Sequence, residues 1–431
     1  MLSCYSQQGR EMKKEVFNEL KLVLMCIVIG GVSSLVFWVF LLAVKGGTAL
    51  LWEVIPGGIT GGFAAWYPLV LCLAGGLMIG FFRKTFGDYP EEMTEVFGKL
   101  KKTGSYPYQK MPVLFVAALL PLIFGSSVGP EAGMVGIIVA LCCWVGESIR
   151  FAGKQSVEYS RIGAAVSLSV IFRSPLFGIF EVEEDPAGSE AGGVLRKPMR
   201  ILLYCIAAGA AFGSFFLLNR IVKASEGFPA FDRISPGALD CVLSVMYLAC
   251  GILLGLFFEY TELFFEKIGK MLPPVLREML AGLILGGTAC LLPVIRFSGE
   301  EQMGVLITDY ARYAPLAMIG IAFLKVALTN MCIRLGLKGG HFFPLIFAAV
   351  CLGYGISLLI FPGDASHATF AAAVAAAGTL GVSMKKPLAV SMLLLICFPA
   401  NALLWIVPTS AIAAFIGQHV GKRKEEGGNM T

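Results

Sequence analysis

The chain has 431 residues, 57% hydrophobic and 15% charged, with a net charge of +5 and a mean hydropathy of +0.79. So little charge does not cover the surface of a soluble protein of this length, and an exterior facing lipid accounts for the composition. The positive balance is accounted for by short basic loops and by Lys422–Lys424, so it does not point to nucleic acid, and no nucleic-acid partner is expected.

Residues 1–20 carry Arg10, Lys13 and Lys14 and read as a cytoplasmic segment before the apolar run Leu22–Val44. About 20 apolar residues cross a bilayer. The run is too long for a signal-peptide core and lacks a small-residue cleavage site, so it is expected to stay as a helix with its basic side in the cytoplasm. Tyr67–Phe82, Ile201–Leu218, Val242–Phe258, Pro315–Cys332, Phe342–Phe361 and Pro387–Ile416 read the same way, the last being long enough for more than one helix. The basic loop Arg83–Lys110 follows two spans and falls back on the cytoplasmic side. Beyond Gly417 the chain turns polar, and residues 419–431 are expected to form a cytoplasmic tail too short for a regulatory domain. Residues 21–418 thus read as a single all-α polytopic transmembrane domain with both termini cytoplasmic, expected in the plasma membrane. Its twelve cysteines lie mostly inside apolar runs with no CxxC pair, which supports neither a disulfide framework nor a metal site. No cofactor is expected.

Within that domain, two stretches echo each other. Pro112–Phe124 ends in Gly125-Ser126-Ser127-Val128-Gly129-Pro130, and Ala165–Ile171 stops at Phe172-Arg173-Ser174-Pro175-Leu176. Gly336–Pro344 opens the later run, and Ala371–Val382 stops at Met384-Lys385-Lys386-Pro387-Leu388. Pro130 and Pro175 are 45 residues apart, and Pro344 and Pro387 are 43 apart, which suggests a duplication with halves of about 21–220 and 240–418. Paired broken helices point to a midplane binding site in a transporter. A helix that begins inside the membrane offers unpaired N–H groups and the positive end of its dipole, so the expected ligand is an anion. Non-helical backbone survives at that depth only when buried in protein or lining a cavity.

Several motifs resemble those of the CLC family of chloride channels and proton/chloride antiporters. Gly339-Gly340-His341-Phe342-Phe343-Pro344-Leu345 resembles the GGxFxPxL segment, and Ser126–Pro130 lies where the family has G-(K/R)-E-G-P. Phe86-Gly87-Asp88-Tyr89-Pro90-Glu91 resembles GSGIPE, Pro175–Ile179 with Glu183 and Glu184 resembles PLxG…EE, and Met384–Leu388 resembles the matching break in the second half. The resemblance implies an inverted-repeat fold, a homodimer with one pathway per subunit, and chloride or another small monovalent anion as the transported ion. It implies anion contacts from Gly87, Asp88, Ser127, Val128, Gly129, Gly340, His341, Phe342 and Phe343. Three side chains depart from the family pattern: Val128 stands at the gating glutamate, Gly87 stands at the ion-binding serine, and no Tyr follows Tyr354.

Other residues are candidates to compensate. Glu131, in the first turn after the break, serves either as a displaced gate or proton carrier or simply as a dipole-favouring acid. Glu183 and Glu184, near Glu181 and Asp185, form either an inner proton-transfer site or a solvated acidic loop. His341 confers pH dependence or stays neutral and hydrogen-bonded, and Lys325 draws anions into a vestibule or snorkels to an interface. The leading expectation is a passive anion channel, because Val128 neither competes with an ion nor carries a proton. The alternative is a proton-coupled anion antiporter using Glu131. A non-conducting scaffold would also keep these features. An enzyme is not expected, since HExxH, GxSxG and paired intramembrane Asp are all missing from the sequence.

Overall fold

A computed structural model describes residues 2–59, 62–103, 106–148, 156–184, 197–224, 227–362, 364 and 366–428. The described residues are almost entirely helical. The first half contains α1 (Leu2–Ala49), α2 (Phe63–Phe86), α3 (Met93–Thr103), α4 (Met111–Ile123), α5 (Glu131–Ser148), α6 (Ser156–Ile171), α7 (Pro175–Glu183) and α8 (Lys197–Ile221). The second contains α9 (Ala238–Met271), α10 (Leu276–Leu291), α11 (Glu300–Thr308), α12 (Pro315–Arg334), α13 (Phe342–Ile360), α14 (Ala368–Met384), α15 (Pro387–Leu394) and α16 (Leu403–Gly428). Among the described residues, seven helical stretches are long and apolar enough to cross a membrane, including Leu20–Gly57, Ala64–Phe86 and Phe342–Ile360.

The run Pro387–Ile416, long enough for more than one helix, divides into α15 and α16 around a turn that contains Pro399. Two elements differ from the sequence expectation. The basic loop Arg83–Lys110 folds part of its length into α3. An additional apolar helix, α10, falls short of a full span at 16 residues.

Close helix packing explains α10. A Cβ on Gly76 or Gly80 of α2 would strike the backbone of Glu278 or Val275, and one on Gly282 or Gly286 of α10 would strike Cys72 or Leu69. Small residues at four-residue spacing let two backbones approach within a membrane, where dispersion and not hydrophobicity drives contact. The contact order runs oppositely along the two helices, so they are antiparallel. Residues 292–299 therefore lie at the end of this pair away from α3. The same device joins α9 to α14, where Gly251 meets Ala375 and Gly255 meets Thr379.

The duplication is visible in the caps. Helix α4 ends with Gly125 (φ +80°), where the Gly125 and Ser126 N–H groups bond to the carbonyls of Leu122 and Pro121. Helix α12 ends with Gly336 (φ +102°), where the Gly336 and Leu337 N–H groups bond to Ile333 and Cys332 in the same pattern. This is the Schellman arrangement, which needs a left-handed residue after the helix and so favours glycine. Later in each half a basic residue with positive φ, Arg173 or Lys385, ends one helix before a Pro starts the next. Helices α13 and α14 are enclosed by the others, with nearly every residue buried.

Candidate functional site

The two broken segments meet inside the protein. The Gly129 N–H donates to the Gly340 carbonyl at 2.8 Å, and the Gly340 N–H donates to the Gly129 carbonyl at 2.7 Å. Each glycine lies four residues beyond its capping glycine and two residues before a helix start. The starts of α5 and α13 are thus pinned side by side by equivalent residues of the two halves.

This bridge decides which N–H groups remain to receive a ligand. Those of Gly129 and Gly340 are used in the bridge, and that of Val128 bonds to the Ser126 carbonyl at 2.8 Å. The Val128 side chain is fully buried against Gly339, and the Ser127 hydroxyl lies 3.2 Å from the Thr329 hydroxyl of α12. The anion contacts expected from the first-half backbone are therefore satisfied internally, and the open donors lie on α13. Phe343 donates its N–H to Glu131 Oε1 at 3.0 Å. The N–H groups of Phe342 and of Glu131 itself face the same carboxylate.

Glu131 is 1% exposed, and its Oε2 has no hydrogen-bond partner among the described residues. Its side chain turns back from α5 to lie between Gly129 and Gly340, where a Cβ on either glycine would fall on the carboxylate. Aromatic rings close the surroundings. Phe172 packs edge-on against Phe177, Phe342 and Phe343 at centroid distances of 4.6, 5.4 and 5.3 Å, and Phe228 lies 4.6 Å from Phe343. The carboxylate and the N–H groups it faces are thus buried among aromatic rings, where electrostatic interactions are strong. Phe172, Phe228 and Thr329 were not singled out from the sequence, and nothing distinguishes them there from other apolar or hydroxyl residues.

A second charged cluster lies at the α3 end. Gly87 (φ +105°) ends α2, and Asp88 is held by Arg83 and by Lys338, the latter at 3.0 Å. Arg83 also pairs with buried Glu278 at 2.5 Å and reaches the Gly336 carbonyl. Burial raises the Asp88 carboxyl, but Lys338 and Arg83 outweigh it and hold the group below its usual range. A cavity of about 510 Å³ opens here, lined by Gly87, Asp88, Tyr89, Lys99, Lys102 and Lys338 among others. Lys338 precedes the Gly339–Gly340 turn directly, so the cavity reaches the segment that starts α13.

The acidic residues at the end of α7 lie elsewhere. Glu181 pairs with Lys386 at 2.7 Å. Glu184 accepts the Leu388 and Ala389 N–H groups at 3.1 and 2.8 Å, which caps α15 of the other half. Glu183 closes α7, and its side chain and all of Asp185 lie outside the described residues. His341 sits between the rings of Phe258 and Phe342, with centroids at 5.1 and 4.4 Å. Lys325 neither lines a vestibule nor snorkels. It is fully buried and donates to the carbonyls of Ile295 and Phe297.

The comparisons agree with this architecture. A family profile described as voltage gated chloride channel matches residues 70–418. The chain is 26% identical over 345 residues to the YfeO protein of Escherichia fergusonii and 27% identical to that of Escherichia coli (strain SE11), each match covering 78% of both chains. In fold it resembles a slow cyanobacterial Cl-/H+ antiporter (TM-score 0.74, 17% identity, covering 91% of this chain and 94% of that one). It also resembles a CLC-type fluoride/proton antiporter (TM-score 0.73, 19% identity, covering 93% and 96%). A eukaryotic CLC transporter matches at TM-score 0.66 and 18% identity, covering 92% of this chain and 72% of that one.

Proposed function

Because the chain belongs to the voltage-gated chloride channel family, the CLC family, we propose that it carries a small monovalent anion across the membrane past the start of α13, with Glu131 as gate and proton carrier. The observation that supports this is the 3.0 Å hydrogen bond from the Phe343 N–H to Glu131 Oε1. A carboxylate on a buried helix N-terminus stands where an anion would bind, and the two compete for the same donors. Protonation removes the charge that holds the carboxylate there, frees the seat for the ion and loads one proton onto the protein. The family's gating glutamate falls on Val128, yet a carboxylate three residues later reaches the same donors by folding back past Pro130.

Chloride is the first ion to test; fluoride is named with protons in one of the solved structures that the chain resembles. We place both termini and the α3 cavity on the cytoplasmic side of the plasma membrane, on the basic residues that flank the first span and fill Arg83–Lys110, and two subunits side by side with a pathway in each. Passive conduction is favoured by a separate observation: Glu184, one of the two acids expected to pass protons inward, is engaged by the start of α15.

Chloride efflux from liposomes, with internal pH recorded in parallel, separates the two. Proton-coupled exchange moves protons uphill in the wild type, and Glu131→Gln abolishes that movement while sparing anion flux. Wild-type efflux without proton movement establishes the passive channel instead, and no flux for any anion leaves a non-conducting scaffold.

A further inference from the structure

Helix α12 carries Lys325 in its buried middle, 0% exposed. Its ammonium donates to the carbonyls of Ile295 and Phe297 at 2.9 and 2.6 Å and lies 5.6 Å from the centroid of the Phe347 ring. No carboxylate pairs with it among the described residues. A buried cation without a counter-ion is costly even after relaxation, and two carbonyl dipoles offset only part of that. Such a charge within a membrane domain is by default a functional candidate, with its partner to be found.

The contacts of Lys325 lead to both halves of the Glu131 site. Phe297, whose carbonyl it holds, donates its N–H to the Gly125 carbonyl at 3.3 Å and packs its ring 5.4 Å from Trp52. Trp52 in turn donates to the Ile123 carbonyl at 2.9 Å, so this loop clamps the turn from which Val128 to Glu131 extend. On the other side, Phe347 lies one helical turn, about 6 Å of rise, beyond Phe343, the residue whose N–H holds Glu131. Thr329, one turn along α12 from Lys325, holds Ser127.

We infer that Lys325 is the fixed counter-charge of the anion seat, a positioning and selectivity residue that balances one negative charge there. This rests on the proposed role of Glu131 and extends it. Two states of the seat carry one negative charge: ionised Glu131 with no ion, and protonated Glu131 with an anion bound. Lys325 balances both. A seat holding both charges leaves an excess anion, and a seat holding neither leaves the ammonium alone. The charge therefore ties anion binding to protonation of Glu131, one for one, and it repels cations. At the effective dielectric of protein interiors, one unit charge on the order of 10 Å from a binding site changes anion affinity there by about tenfold. The other ionisable groups facing this region are the Cys332 and Cys351 thiols beside Lys325, Glu300 with Arg173 on the Glu131 side, and Arg296 stacked on Trp52.

The test uses the full chain in liposomes and reads two quantities, the chloride concentration for half-maximal flux and the pH of half-maximal flux. Lys325→Met is expected to raise the first by about tenfold and to move the second to higher pH, because Glu131 ionises less readily without the cation. Lys325→Arg keeps the charge and both values. If Lys325→Met fails to fold, Lys325→Gln replaces it, since the amide still donates to a carbonyl without carrying charge. Equal loss of maximal flux in the neutral and Arg variants, with both values unchanged, overturns the inference and leaves Lys325 as a loop clamp. Failure of the Glu131 proposal is seen separately, as wild-type pH dependence that survives Glu131→Gln. In that case the chloride value at fixed pH still decides whether Lys325 acts as a counter-charge.

Discussion

Replacing Gly129 by Ala puts a methyl group where the Glu131 carboxylate now rests. The three heavy atoms nearest to that methyl are Glu131 Oε2, Cδ and Oε1, the far end of a flexible side chain, with no backbone atom among them. Gly129 is not among the positive-φ glycines, so alanine fits its backbone and both bonds to Gly340 persist. The side chain must swing out and give up the Phe343 N–H. A hydrogen bond to a charged group contributes about 1.5–3 kcal/mol, which at about 1.4 kcal/mol per decade lowers occupancy of the seat by Glu131 by one to two orders of magnitude. Chloride efflux at neutral pH should rise by a similar factor, towards that of Glu131→Gln, and its dependence on pH should flatten across the range where carboxylates titrate. The double variant Gly129→Ala/Glu131→Gln should match Glu131→Gln alone, because both changes clear the same seat. Wild-type flux and pH dependence in a folded Gly129→Ala protein would refute the reasoning.

Three further outcomes follow from other parts of the fold. Glu184→Gln should lower the unfolding temperature in detergent by an amount matching about 1 kcal/mol, since it removes a charge from the start of α15, with the pH of half-maximal flux unchanged. Asp88 is held ionised by Lys338 and Arg83, so its folded-state value is depressed. Its stabilisation is present above about pH 4 and disappears as pH falls through the folded value. The difference in unfolding temperature between wild type and Asp88→Asn should therefore be visible at neutral pH and close in acid. Gly282→Val should reduce the yield of folded protein sharply, because its Cβ meets the Cys72 carbonyl of α2 and backbone does not yield as a side chain would. An unchanged yield and unfolding temperature would show that α2 and α10 have room to separate.

Much of the fold was legible because lipid imposes a length and an apolar composition on each span. The run Phe342–Phe361 matches α13 within a residue, and Leu22–Val44 lies inside α1. Helix α10 escaped notice because Gly282, Gly286, Gly287 and Thr288 dilute its hydropathy, although those small residues are what its contact with α2 requires. The paired breaks could be read from Gly and Pro, whose backbone constraints are local. What could not be read was which groups the breaks present. Glu131 is visible in the sequence as an acid in a first helical turn, but its hydrogen-bond donor is 212 residues away. The sequence likewise offers no sign that Glu184 serves the opposite half, or that the solvent-free partners of Lys325 are carbonyls of a distant loop. Each depends on two segments meeting, and local composition carries no record of that.

The Gly129–Gly340 bridge also bears on how the protein moves. Two short bonds at the crossing of two helix starts behave mechanically as a pivot. If one half tilts against the other, the lever arms grow towards the two membrane surfaces and shrink to nothing at the bridge. A rocking motion large enough to reshape either vestibule would thus leave the distance between the starts of α5 and α13 almost unchanged. On the proposed role of Glu131, opening and closing at that point falls instead to a single side chain rotating about its own bonds, which needs neither a hinge nor a change of overall shape.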